Sequence, residues 1–122
     1  MYQLNKLFIG MLMVLSSNIV FGENISGTGW FFEESNGDKE IILFGKDGTF
    51  KHLNVVSSSG NEGEIDGDEN ETYSVNGDLV VISYNDGYKI CSLTINSRKD
   101  RMSGTSINKK GIVRQIKGRL ID

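Results

Sequence analysis

The sequence predicts an all-β domain, an eight-stranded antiparallel up-and-down β-barrel that follows an N-terminal signal peptide. Three observations carry this. Gly, Asn and Asp recur together at intervals of about ten to fifteen residues, as turns do between short strands. Short β-branched and aromatic runs fill the intervals. No proline occurs anywhere in the 122 residues, as suits central strands whose ladders need every backbone N–H.

The first element is not part of the fold. Lys6 precedes an apolar run from Leu7 to Leu15, and small residues follow at Val20-Phe21-Gly22. This is the layout of a secretory signal peptide, here residues 1–22. A spanning helix needs about 20 apolar residues, whereas Ser16, Ser17 and Asn18 interrupt this run. No permanent membrane anchor is expected, and the domain, residues 23–122, is expected to be periplasmic or secreted.

Seven separators divide that domain: Asn36-Gly37-Asp38, Lys46-Asp47-Gly48, residues 57–71, Asn76-Gly77-Asp78, Asn85-Asp86-Gly87, residues 96–100 and residues 108–111. They delimit eight strands at 29–34, 40–45, 49–56, 72–75, 79–84, 88–95, 101–107 and 112–121. No segment sustains a helical period. A two-residue turn at Asp86-Gly87 sets Ile82 opposite Cys91 and Val80 opposite Leu93. The same logic through Asn76-Gly77 sets Tyr73 opposite Val80. Tyr73, Val80, Ile82, Tyr84, Cys91 and Leu93 then share one inward face. A three-residue turn at Lys46-Asp47-Gly48 puts Phe44 opposite Phe50 and Ile42 opposite His52. Closing these strands into a barrel removes exposed edges; a two-sheet sandwich is the alternative.

Composition excludes several function classes. One Cys permits no intrachain disulfide, and one Cys with one His cannot supply a thiolate–imidazole zinc or iron–sulfur centre. No metal and no cofactor is expected. Cys91 lies in an apolar strand, where burial makes a thiol inert, and a serine nucleophile finds no Gly-x-Ser-x-Gly elbow. The protein is therefore expected not to be an enzyme.

Gly27-Thr28-Gly29-Trp30, then Ile42-x-Phe44-x-x-Asp47-Gly48-Thr49-Phe50, then Tyr73-x-Val75-x-Gly77-Asp78-x-Val80 resemble the small bacterial lipocalin-like (calycin) domains. The resemblance implies that Trp30 plugs the closed end of the barrel, with Arg114 or Arg119 of the last strand lying across its ring.

Charge is polarised. Glu62, Glu64, Asp66, Asp68, Glu69 and Glu71 crowd one loop, while Arg98, Lys99, Arg101, Lys109, Lys110, Arg114, Lys117 and Arg119 gather near the end. The acidic stretch opens like a calcium loop, but Glu71 stands where the sharp turn needs Gly and Gly77 where a bidentate Glu belongs, so it is no EF-hand. Sixteen acidic residues outnumber thirteen basic ones, and aromatic-interleaved basic motifs are missing, which argues against nucleic acid.

Two binding functions are compatible with this pattern. In the first, the barrel accommodates a small apolar or amphipathic ligand between Phe44, Phe50, Tyr73, Ile82 and Tyr84, with His52 as a polar handle. In the second, Glu64, Asp66, Asp68 and Glu69 of the 57–71 loop engage a protein with a basic cleft or weakly hold a cation. Small exported barrels similar to bacterial protease and lysozyme inhibitors act by inserting a loop in this way.

Overall fold

A computed structural model describes residues 25–122. The expected signal peptide at residues 1–22, and with it the question of an anchor, lies outside the described residues. Nine strands run in chain order: β1 (Gly29–Glu34), β2 (Lys39–Phe44), β3 (Phe50–Val56), β4 (Ile65–Asp66), β5 (Thr72–Asn76), β6 (Leu79–Tyr84), β7 (Lys89–Ile95), β8 (Arg101–Asn108) and β9 (Val113–Leu120). No helix occurs among the described residues.

All nine strands join one antiparallel sheet in the order β4-β3-β2-β1-β9-β8-β7-β6-β5. Strand β1 pairs with β9, so the first and last strands meet and the break falls in mid-sequence, between β4 and β5. There the curled sheet is stitched by a bridge between Thr49 and Thr72, by Phe50 N–H to Glu71 C=O at 3.1 Å and by Tyr73 N–H to Gly48 C=O at 2.9 Å. The architecture is thus an up-and-down, strongly curled half-barrel with a seam, which corrects the expected eight-stranded closed form. All eight expected strands are present. The ninth, β4, is two residues of the acidic loop held on β3 by the pairs His52 with Asp66 and Leu53 with Ile65, a pairing too short to leave a periodic signal.

Hairpin chemistry accounts for the registers. Ile82 faces Cys91 and Val80 faces Leu93, across a tight turn in which Asn85 (φ 49°), Asp86 (φ 56°) and Gly87 (φ 89°) all take positive φ and Tyr88 N–H donates to Asn85 C=O at 3.2 Å. Phe44 faces Phe50 and Ile42 faces His52. Across the next turn the expected register is displaced: Tyr73 pairs with Ile82, not Val80, and Val75 with Val80, since the tight turn is Gly77-Asp78. A two-residue shift leaves every side chain on its face, so the inward set is unchanged.

Alternation fills the interior. Trp30, Phe32, Ile42, Phe44, Phe50, Tyr73, Val75, Val80, Ile82, Cys91, Leu93, Ile95, Met102 and Ile116 are buried. Trp30 sits at one end, where its indole N–H donates to Thr28 Oγ1 at 2.9 Å and Ile25 is buried beneath it. Among the described residues no basic residue crosses its ring as the resemblance implied. Leu120 is the β9 partner of Trp30, and Arg119 pairs with Phe31, lying over that ring at 4.8 Å on the outer face. Parity explains it, because Arg119 and Trp30 point to opposite faces.

Cys91 is fully buried, and burial pushes its thiol up to about 12. At pH 8 such a group holds about one part in ten thousand as thiolate. A water-soluble thiol reagent should therefore label the native protein at least roughly a thousandfold more slowly than the denatured chain. Stopped labelling followed by mass measurement checks this. Cys91→Ser should destabilise by about 1–3 kcal/mol, because a hydroxyl costs more than a thiol to bury on this apolar face.

Candidate functional site

The end of the sheet opposite Trp30 is polar. The inward parity that runs Trp30, Phe32 along β1 continues to Glu34, that of β2 runs back through Ile42 to Glu40, and that of β7 runs back through Cys91 to Lys89. Glu34, Glu40, His52, Glu71 and Ser106 are all buried. One residue of β3, Val55, is skipped where β2 pairs at Lys39 and Glu40. Such a bulge is a frequent device for re-aiming side chains near a site.

These groups form one chain of contacts. Ser106 Oγ donates to Glu34 Oε1 at 3.2 Å, and Lys89 Nζ donates to Glu34 Oε2 at 2.6 Å. The Lys89 ammonium also lies 4.4 Å from the Tyr84 ring centre, and Tyr84 OH donates to Glu40 Oε2 at 2.7 Å. Glu40 Oε1 is 3.0 Å from His52 Nδ1. His52 Nε2 in turn faces Glu71 Oε1 at 3.4 Å and Asp66 Oδ2 at 3.9 Å. Glu71 Oε2 accepts the backbone N–H of Asn85 at 2.6 Å. His52 Nε2 has no aligned hydrogen bond.

Electrostatics follow from this arrangement. Burial disfavours the His52 imidazolium, but Glu40 beside it, then Glu71 and Asp66, more than reverse the effect and raise its pKa. Lys89 behaves alike: burial opposes its charge, and Glu40 and Glu34 outweigh that and raise it. Burial, reinforced by Glu40, holds the Tyr84 phenol well above its ordinary value. A pocket of about 80 Å³ opens here between Glu34, Glu40, His52, Tyr84 and Lys89.

Two of the residues expected to line a ligand cavity, His52 and Tyr84, border this pocket. The other four do not: Phe44 meets Tyr73 edge-on at 4.7 Å between ring centres, Phe50 meets Tyr84 at 5.1 Å, and Ile82 is wholly buried. Of the loop acids, Glu64, Asp66, Asp68 and Glu69 are all exposed, and Asp66 alone reaches His52. Sequence reasoning missed Glu34, Glu40, Glu71, Lys89 and Ser106. Extending the strand parity to polar residues at the strand ends finds all but Glu71, which lies outside any strand.

A second feature lies on the outer face of β1, β9 and β8. A groove of about 620 Å³ is bordered by Phe31, Arg101, Lys117 and Arg119 above Ile95 and Met102. Arg101 and Arg119 are direct cross-strand partners, a like-charge pairing that destabilises a sheet. Among the described residues, Arg101, Lys117 and Arg119 make no ion pair. Gly118, which carries no side chain, also lines the groove.

Comparison with known proteins adds fold and nothing finer. No protein-family model matches the chain, and no curated protein matches it. Among solved structures it is similar to a "putative beta-lactamase" from Burkholderia vietnamiensis, with 11% identity, a TM-score of 0.56, and coverage of 79% of this chain and 92% of that one. The likeness is one of curled all-β architecture.

Proposed function

We propose that the protein is an exported, non-enzymatic binding protein of lipocalin-like build that takes a small amphipathic anion in the outer groove of β1, β9 and β8. The observation that carries this reading is the cross-strand pair of guanidiniums, Arg101 and Arg119, beside a groove with an apolar floor, while Glu33, which also lines the groove, faces Lys117 across the strands. An anion there would relieve the repulsion between the two guanidiniums while its apolar part covers Phe31 and Met102. The amphipathic ligand expected from the sequence thus moves from the interior, which aromatic rings occupy, to the outside. Export rests on Lys6 and the Leu7–Leu15 run.

The state of the nucleophiles supports binding over catalysis. Cys91 is a buried thiol, Ser106 is buried and donates to Glu34, and Lys89 is held as an ammonium by Glu40 and Glu34. None is poised as an activated nucleophile or free base.

Native mass spectrometry of the full chain from its own host should show a retained small anion. Titration with anilinonaphthalene sulfonate, an amphipathic anion, should show binding that Arg101→Gln/Arg119→Gln weakens by roughly tenfold or more, each charge-assisted contact being worth about 1.5–3 kcal/mol. Equal affinity of the wild type and the double variant would overturn the reading. A protein partner on the 57–71 loop is the second reading, favoured by Ile65, which is 72% exposed between Glu64 and Asp66. Loss of a captured protein on replacing Glu64, Asp66, Asp68 and Glu69 by Ser would select it.

A further inference from the structure

We propose that His52, Asp66 and Glu71 form a binding site for a divalent first-row cation of the zinc class, and that the bound ion clips the seam of the sheet. The site is independent of the outer groove and of the reading placed on it.

Three observations converge. The first is the imidazole itself: His52 is 9% exposed, and its Nε2, which faces the site, lacks an aligned hydrogen bond. A buried polar ring left so is costly unless something else engages it. The second is spacing. One ligand atom from each of His52, Asp66 and Glu71 lies within 4.8 Å of the other two, and His52 Nε2 is 3.4 Å from Glu71 Oε1 and 3.9 Å from Asp66 Oδ2. Ligand atoms around a tetrahedral ion bound at about 2.0–2.2 Å stand about 3.3–3.6 Å apart. Asp66 has a side chain 58% exposed and can close the remaining gap by rotation.

The third observation is orientation from behind. Glu40 Oε1 lies 3.0 Å from Nδ1, and Glu40 is itself fixed by Tyr84 OH at 2.7 Å. A carboxylate on one ring nitrogen keeps the proton there and turns the lone pair of the other outward, the usual outer-shell support of a metal-bound histidine. The second oxygen of Glu71 is occupied by Asn85 N–H at 2.6 Å, which leaves Oε1 to face the site. Imidazole with two carboxylates suits zinc better than calcium, whose sites are built from oxygen alone. Three protein ligands leave the fourth position to water, on the exposed Asp66 side.

The placement explains what the ion would do. Asp66 belongs to β4, His52 to β3, and Glu71 precedes β5, so the three ligands lie on both sides of the break in the sheet. An ion held by all three ties the acidic loop to the body and supplements the Thr49–Thr72 bridge.

The test uses the full chain stripped with a chelator and then titrated calorimetrically with Zn²⁺ or Ca²⁺. One equivalent of Zn²⁺ should bind, in clear preference to Ca²⁺. Asp66→Asn and Glu71→Gln should each weaken Zn²⁺ binding by roughly tenfold or more. Asp66→Asn, at a half-exposed position, should keep the wild-type circular dichroism, so a loss of binding there reports the site and not misfolding. Zn²⁺ should also slow proteolysis within residues 57–71 in the wild type and not in Asp66→Asn. No uptake of Zn²⁺, uptake indifferent to both substitutions, or a preference for Ca²⁺ would overturn the site. Tight binding without protection of the loop would overturn the clip.

Discussion

Replacing Glu34 by alanine is expected to destabilise the fold by about 3–5 kcal/mol, because it strips the partner from a buried charge. Glu34 is 5% exposed and holds Lys89 Nζ at 2.6 Å and Ser106 Oγ at 3.2 Å. The Lys89 side chain is only 22% exposed, and its stem passes Tyr84, so the ammonium cannot regain full hydration without repacking that ring. Lys89→Met alone should also be costly, since it leaves the carboxylate of Glu34 buried with only Ser106. Glu34→Ala/Lys89→Met removes both charges together and should be milder than the sum of the single variants by about 1–3 kcal/mol. Urea denaturation of the four proteins measures the cycle. A Glu34→Ala penalty below about 1 kcal/mol, in the range of a surface pair, would mean that Lys89 escapes to solvent and that the polar end is looser than its geometry.

Glu34 also shows how far the sequence could be read. Strands and inward faces were legible because Asn, Asp and Gly mark the turns and because alternation assigns faces; Ile82 meets Cys91 as that logic requires. The Tyr73 pairing was displaced by two residues because Asn76-Gly77 and Gly77-Asp78 are both acceptable hairpin turns, and only tertiary packing chooses between them. Glu34, Glu40 and Lys89 sit at strand ends, where a charged residue ordinarily faces water, so parity alone competes there with a strong solvation preference. That contest is settled only by partners contributed from strands distant in sequence. Glu40 with His52 and Tyr84, or Glu71 with Asn85, are such long-range meetings. The two-residue β4 and the seam beside it are equally silent, because one side of their pairing is an acidic loop with no strand pattern of its own. The outer groove depends on sheet curvature, which single residues encode only through glycines.

Those glycines carry the other large expected effect. Gly104 and Gly118 occupy inward positions of β8 and β9, where Gly104 pairs with Leu93 and Ile116, and Gly118 with Phe32 and Met102. A Cβ on Gly104 would collide with the carbonyl oxygen of Ser92 and stand 2.8 Å from Leu93 Cα. Both are backbone atoms of a hydrogen-bonded neighbour, so relief requires β8 to move off β7. Gly104→Ala should therefore destabilise by about 3 kcal/mol or more, at or beyond the upper end for overpacking. A Cβ on Gly118 would meet the Phe32 ring at 2.5 Å, and a ring can turn or be shortened. Gly118→Ala should cost about 1–3 kcal/mol, and Phe32→Leu in the same chain should recover part of it by vacating the space. No side-chain change opposite Gly104 should rescue Gly104→Ala, since the obstruction is main chain. If Gly104→Ala proves as stable as the wild type in urea, the close approach of β7 to β8 at Gly104 is not a requirement of the fold.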